Sequence, residues 1–349
     1  MNEIEKLIRP ELRNLKPYSS ARHESNQQDL ILLDANENPF GSLNRYPDPY
    51  HTQLKSALAN LKGLATNQVF LGNGSDEVID LCFRLFCTPK QDSVLVFTPT
   101  YGMYEVLAQI NDVSVIREPL INNQLIDIKS AKASIERYKP KMLFICSPNN
   151  PTGSAIAMRD IEALLDFYSG VLVIDEAYID FSKEESALSQ LSKRKNLIVC
   201  QTLSKAYGLA GIRLGIAYAS PMIVQWLNKI KPPYNISTLN AQAAFNRLAQ
   251  KQDVQNEINL ILQEKAHLEN ELKKLECITY VYPSQANFLL IETPNAEKLH
   301  AFFLSNNIRV RDRSSLIENS LRISIGSPEE NKQLLKTLKS YEKESIIYR

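Results

Sequence analysis

LIVCQTLSKAYGLAGIRLGIAYA, residues 197–219, sets a lysine between two apolar runs. LIVCQT has the near-continuous apolarity of a strand covered on both faces, and GIAYA at 215–219 is a second run of the same kind. Outward from this stretch the pattern recurs as VLVID (171–175), MLFIC (142–146), SVI (114–116), SVLVF (93–97) and VFLG (69–72), with helical stretches between. Buried strands alternating with helices predict an α/β fold with a mainly parallel, seven-stranded sheet. Ligands in such sheets gather where strands end, so Lys205, just past LIVCQT, is expected at the mouth of the sheet.

Beyond LNKIKPPYN the texture changes to one long charged helix through 240–276, followed by strand-like ITYVY, NFLLIE, IRV and LRISI. That mixture predicts a smaller α+β domain, with Pro232 and Pro233 marking the approach to it. The expected division is an N-terminal arm over 1–30 that belongs with the small domain, a large domain over 31–235 and the small domain over 236–349. A chain of 349 residues is long enough for a large and a small core with a cleft between them.

The 44% hydrophobic and 23% charged composition is that of a folded globular protein. Lys and Arg total 40 against 39 Asp and Glu, which leaves no basic field for nucleic acid or anionic lipid and points to a small-molecule partner. The five cysteines form no CxxC pair and sit in apolar stretches, and the four histidines lack metal-ligand spacing, so free buried thiols and no metal site are expected. No run approaches the ~20 apolar residues of a membrane span, and MNEIEKLIRPEL has no apolar signal core, so a cytoplasmic location is expected.

Four stretches carry chemistry. A lone lysine is ordinarily a solvated one, but Lys205 lies among small residues whose burial would lower its pKa and free the amine for attack on a carbonyl. VLVIDEAYIDF delivers Asp175 at a strand end, where a buried carboxylate would keep a cofactor's pyridine nitrogen protonated; Tyr178 follows as a donor to a phenolic oxygen. In LGNGSDEVIDLCFRLF (71–86), a glycine turn opens a helix at Ser75 or Asp76, and backbone amides there make a seat for phosphate at Gly74 and Ser75. Arg213, Ser204 and Thr202 lie close enough in sequence to Lys205 to complete that cup. The glycines stop at Gly74, so the GxGxxG dinucleotide fingerprint is absent. In CSPNNPTG (146–153), Asn149 at a strand end is read as a second donor to the phenolic oxygen, and Tyr101 of FTPTYGMY (97–104) as a ring that stacks on a flat heterocycle.

Taken in order, GNGSDE, TPTYGMY, SPNNPTG, IDEAY, TLSKAYGLAGIRLG and LRISIG resemble the fold-type I pyridoxal-phosphate aminotransferases over nearly the whole chain. The resemblance implies pyridoxal 5′-phosphate bonded to Lys205, Asp175 at its pyridine nitrogen, Asn149 and Tyr178 at its phenolic oxygen, and Tyr101 on its ring. LKPYSSAR (15–22), LDANENPFG (33–41), NRYPDPY (44–50) and RVRDRSSLIENSLRISIG (309–326) narrow the resemblance to the histidinol-phosphate aminotransferases. That narrower resemblance implies L-histidinol phosphate and 2-oxoglutarate as substrates, in histidine biosynthesis. It also implies a homodimer in which Tyr46 reaches the neighbouring subunit's cofactor phosphate, and substrate contacts from Tyr18, Asn36, Arg311 and Arg322.

Read physically, Arg309, Arg311 and Arg313 alternate along one strand face; Arg309 and Arg313 are taken as solvated edge residues, and Arg322 as pointing into the cleft. An arginine fork suits carboxylate or phosphate alike, so the substrate's identity rests on the resemblance. Three rivals share these features: an aromatic amino-acid aminotransferase, a phosphothreonine-type decarboxylase, and a non-enzymatic regulator built on the same domain. The net charge of +1 disfavours the last.

Overall fold

The computed structural model describes residues 3–18 and 30–347. Residues 19–29, which include the SSAR of the LKPYSSAR segment, lie outside them. Strands β1 (Val69–Asn73), β2 (Ser93–Thr98), β3 (Ser114–Pro119), β4 (Met142–Cys146), β5 (Val171–Asp175), β6 (Leu197–Thr202) and β7 (Leu214–Ala219) form one sheet in the order β1-β7-β6-β5-β4-β2-β3. Only β7 runs against its neighbours. All seven apolar runs are therefore strands of one mainly parallel sheet.

Side-chain alternation splits the core in two. Leu143, Ile145, Leu172, Ile174 and Val199 face helices α2 (Thr52–Lys62), α5 (Ile128–Tyr138) and α6 (Met158–Phe167). Met142, Phe144, Val171, Val173 and Ile198 face α3 (Ser75–Phe86), α4 (Met103–Ile110) and α7 (Pro221–Ile230). Every residue of β4, β5, β6 and β7 is buried, as a sheet covered on both faces demands. Register then fixes the site: Cys146 pairs with Asp175, and Asp175 with Cys200, so β4 and β5 end level, β6 runs two residues further to Thr202, and their loops emerge along one edge.

The N-terminal helix α1 (Glu3–Leu7) packs differently from expectation. Ile4 and Ile8 are buried in the cluster of α3 and α7, and Arg9 N–H donates to Leu85 O at 3.0 Å, so this part of the arm sits on the large sheet's core. The helix expected through 240–276 is two helices, α8 (Thr238–Ala249) and α9 (Lys251–Leu272), broken at Gln250 with φ −90 and ψ 48. The break has a packing reason. Ala244 and Leu248 belong to the large sheet's core, whereas Leu268 and Leu272 belong to the small one, and a single straight helix cannot serve both.

The small sheet comprises β8 (Tyr280–Val281), β9 (Phe288–Glu292), β10 (Arg311–Asp312) and β11 (Ser320–Ser324), antiparallel in the order β10-β11-β9-β8. Its inner face packs Leu289, Ile291, Leu321 and Ile323 on α9, α10 (Ala296–Ser305) and α11 (Pro328–Ile347). The strand expected at IRV begins later, at Arg311, because Ile308 and Val310 are drawn into this core and the ladder opposite β11 starts after them. A third cluster, of Tyr178, Phe181, Val254, Ile258 and Phe288, joins the two bodies directly behind the strand ends. All five cysteines are buried and unpaired. No helix among the described residues is long and apolar enough to cross a membrane.

Candidate active site

At the carboxyl edge of β4, β5 and β6 lies a cavity of about 220 Å³ that brings together Lys205, Asp175, Tyr178, Tyr101, Arg213 and Arg322. Ser75, Asp76, Thr202 and Ser204 line it as well. The Lys205 amine stands 5.6 Å from the centre of the Tyr178 ring. Burial lowers its pKa, and the nearby cation of Arg322 lowers it further while Asp175 opposes. An amine so placed sheds its proton more readily than a free lysine, which is the condition for nucleophilic attack.

Asp175, 3% exposed at the end of β5, is held at both oxygens: Tyr104 O–H donates to Oδ2 at 2.7 Å and Ala177 N–H to Oδ1 at 3.1 Å. Burial pushes its pKa up, and these two donors pull against it. A fixed, buried carboxylate of this kind is poised for a cationic N–H facing it. Burial likewise raises the Tyr178 hydroxyl's pKa, keeping it a protonated donor.

The turn before α3 is built for close approach. Gly74 adopts φ +83, and a Cβ on it would stand 2.6 Å from Arg213 Nη2, so glycine lets the guanidinium reach the helix start. Arg213 Nη2 also lies 3.6 Å from Asp76 Oδ2, and Tyr101 O–H donates to Asp76 Oδ1 at 2.9 Å, tying the guanidinium and the ring to one carboxylate. Ser204 N–H donates to Thr202 Oγ1 at 3.1 Å, and the two hydroxyls are 2.9 Å apart. Backbone N–H groups at the start of α3, two hydroxyls and a guanidinium form an anion seat.

Beneath that turn sits Gly215 of β7, where a Cβ would come within 2.2 Å of Gly74 C and Ser75 N. Gly215→Ala must therefore displace the turn itself, since backbone cannot rotate aside as a side chain can. The expected result is at least about a tenfold weaker cofactor affinity, the loss of one or two charge-assisted hydrogen bonds, with far-ultraviolet circular dichroism retained. Equilibrium titration of the cofactor's absorbance checks it; unchanged affinity would mean the turn has slack that these distances deny.

Three corrections come from the tertiary structure. Asn149 does not line the cavity. Its amide donates to Pro99 O and Thr152 Oγ1 at 2.9 Å and accepts from Thr100 Oγ1 at 2.9 Å, so it braces the loops after β2 and β4 from within. Its neighbour Asn150 lines the cavity and accepts from Arg322 Nη1 through Oδ1. Arg313, read as a solvated edge residue, lines the cavity too. The ladder carries only Arg311–Asp312, and beyond it the chain turns inward, with Arg313 N–H on Ser320 O at 2.9 Å. Arg309 is exposed, as expected. Arg311 is exposed but directly opposite Arg322 in the ladder, hence on the same face.

The remaining expected residues lie elsewhere in this chain. Tyr46 stacks on Tyr234 with ring centroids 4.4 Å apart, and with Asn36 it lines a second cavity of about 450 Å³, together with Leu43 and Leu239. Tyr18 is 76% exposed. Sequence reasoning missed Tyr104, Asn150 and Arg313. Tyr104 sits at helical spacing from Tyr101 and could have been flagged as a buried hydroxyl in need of a partner. Nothing local separates Asn149 from Asn150. No group of three or more His, Cys, Asp or Glu among the described residues could hold a metal ion.

A lysine amine, a fixed carboxylate at a strand end and an anion seat on a helix start, all at the carboxyl edge of one α/β sheet, define a class of cofactor-dependent group-transfer proteins. The chain belongs to the family described as aminotransferase class I and II, whose model matches residues 14–338. Nearer relatives narrow this. It is 45% identical over 346 residues to the histidinol-phosphate aminotransferase of Cytophaga hutchinsonii, covering 97% of this chain and 99% of that one. The crystal structure of the histidinol-phosphate aminotransferase from Clostridium acetobutylicum superposes with a TM-score of 0.80 at 26% identity, covering 86% of this chain and 92% of that one. That of the Sinorhizobium meliloti histidinol-phosphate aminotransferase in complex with pyridoxal-5′-phosphate gives 0.75 at 23% identity, covering 85% and 84%, and shares the fold. Pyridoxal 5′-phosphate is the cofactor. The donor set fits it: an amine for its carbonyl, a buried carboxylate for a ring N–H, and an anion seat that a Cβ on Gly74 would close.

Proposed function

We propose that this chain is a histidinol-phosphate aminotransferase that moves the amino group of L-histidinol phosphate to 2-oxoglutarate, giving imidazole acetol phosphate and glutamate. The observation that carries the reading is Arg322 and Arg313 closing the Lys205 cavity from the small sheet, with neither guanidinium in an ion pair among the described residues. Such a cavity takes an amine that bears an anion. The name borne by the 45%-identical relative selects the phosphate ester over the aromatic amino acids and over decarboxylation.

Bound pyridoxal 5′-phosphate supplies the electron sink that lets the bond between the amine-bearing carbon and its hydrogen ionise. Lys205 is the residue that would hold the cofactor through its carbonyl carbon, and its amine, when free, would take the proton from the substrate carbon and return it as an acid. Asp175, fixed by Tyr104, would hold a proton on the cofactor's ring nitrogen. Tyr178 and Asn150 would hold the phenolic oxygen, and Tyr101 would hold the ring. Gly74, Ser75, Asp76, Thr202, Ser204 and Arg213 form and brace the phosphate seat. Arg322, oriented by Asn150, and Arg311 on the same strand face contact substrate, whereas Tyr18 and Asn36 lie away from the Lys205 cavity within this chain. Glutamate formation from 2-oxoglutarate with L-histidinol phosphate, phenylalanine or tyrosine tests the reading, with carbon dioxide release from O-phosphothreonine followed in parallel. Preference for L-histidinol phosphate by at least about a hundredfold, the discrimination expected of a pocket built on buried charged donors, is the expected outcome; inactivity with it alongside turnover of another overturns the substrate.

The reading includes a homodimer working in the cytoplasm, with the division between a large cofactor-binding domain and a small domain at Gln250. Ile31, Leu33, Phe40 and Leu43 are 61–88% exposed on the segment that carries Tyr46, and Leu239 of α8 adds to the same apolar surface around the second cavity. Exposed apolar side chains so concentrated on one segment are a face for a partner copy. Tyr46 then serves the neighbouring site. Mixing Lys205→Ala with Tyr46→Ala chains should restore activity toward about a quarter of wild type, since half of the dimers are mixed and each has one intact site. No recovery after denaturation and joint refolding would mean that the sites are not shared.

A further inference from the structure

We infer that Arg313 is a specificity-determining residue that makes the cavity select a phosphate dianion over a carboxylate. This rests on the reading of the cavity as an aminotransferase's substrate pocket and deepens it.

Arg322 is positioned as a carboxylate fork. Its guanidinium lies 5.1 Å from the centre of the Phe288 ring, and Nη1 donates to Asn150 Oδ1, which sets its plane. A planar fork of two N–H groups matches the two oxygens and single charge of a carboxylate. A phosphate monoester has three terminal oxygens and, above its second pKa of about 6, nearly two charges, so one fork leaves an oxygen and a charge unmet.

Arg313 is placed to meet them. It lines the same cavity as Arg322, and the Nε atoms of both are buried without a hydrogen-bond partner. The Arg313 backbone is anchored by three hydrogen bonds: its N–H to Ser320 O at 2.9 Å, and its carbonyl accepting from Leu316 and Ile317 N–H at 2.8 and 3.0 Å. Burial, Arg322 and Arg311 each depress its pKa against the opposing pull of Tyr178 and Asp312, and no carboxylate forms an ion pair with it among the described residues. Buried donors without acceptors, on guanidiniums that repel each other, are a standing cost to the fold that an anion of higher charge removes. A chain that needed only a carboxylate clamp would gain nothing from keeping the second cation there.

The test uses the holoenzyme and two inert probes, inorganic phosphate and acetate, as competitive inhibitors of the glutamate half-reaction, read by the cofactor's absorbance. In Arg313→Gln the inhibition constant for phosphate is expected to rise at least about tenfold more than that for acetate, the loss of one charge-assisted hydrogen bond. The rise of kcat/KM for the phosphate substrate through pH about 6, where the ester takes its second charge, should flatten in the same variant. Arg313→Lys keeps the charge without the fork and should fall between. Equal losses for phosphate and acetate overturn the inference, as does an Arg313→Lys ratio identical to wild type if the glutamine variant fails to fold. Failure of the wild-type protein to turn over L-histidinol phosphate strikes the proposed substrate instead, because the ratio of the two inhibitors is scored without it.

Discussion

Lys205→Ala is expected to lower steady-state transamination by at least about 10⁴-fold while leaving the circular dichroism of the protein unchanged, because it removes the proposed covalent tether and proton carrier together. A half-buried cation contributes little to the fold, so the loss cannot be laid to unfolding. Two further readouts separate chemistry from damage. Small primary amines in the buffer should restore part of the rate, since they can carry the same proton from the space the side chain vacates. The free amine is the working form, and its population grows as pH rises through a pKa that burial and then Arg322 have lowered. The acid limb of the wild-type half-reaction should therefore lie below the ordinary lysine range, and Arg322→Gln, which removes a neighbouring cation, should move that limb to higher pH. Retained steady-state transamination by Lys205→Ala would sink the assignment.

Asp175→Asn is expected to cost about 10² to 10⁴ in kcat/KM, the 3–5 kcal/mol that follows when one member of a buried charged pair is removed. In the proposed site the carboxylate would stabilise a protonated ring nitrogen, and an amide in its place would leave the ring a poorer electron sink. Its effect on stability runs the other way. Burial raises the Asp175 pKa, so the folded state holds that proton more tightly than the unfolded chain does. This contribution favours the fold below the ordinary carboxylate pKa and is lost as pH rises through the raised value. At neutral pH the cofactor-free Asn variant should thus melt at or above the wild-type temperature even as its activity collapses. A cofactor analogue methylated on the ring nitrogen carries a permanent cation and should recover part of the lost rate. Parallel loss of activity and of cofactor-free stability would assign Asp175 to the scaffold.

The central strands of the large sheet were legible in the sequence because strands buried on both faces are apolar at every position, as in VLVID and MLFIC, whereas the largely exposed edge strand β3 showed only the β-branched run SVI. Lys205, Asp175 and the Gly74–Ser75 turn were legible for a related reason: each directly follows or ends such a strand, so finding the strand places the residue at the sheet's edge. Where a side chain points was decided by tertiary packing. Asn149 and Asn150 are adjacent and alike, and only the arrival of Thr100 and Thr152 turns one inward as a brace and leaves the other to the cavity. Arg313 looked like an edge residue while its strand was assumed to continue; the bend after Asp312, fixed by Ser320, brought it inside. The charged stretch from 240 to 276 kept helical periodicity throughout, and it broke at Gln250 because its two halves face different cores. Period and apolarity are local properties, carried by each segment alone, whereas the direction of a polar side chain depends on partners that are distant in sequence and meet only in the folded chain.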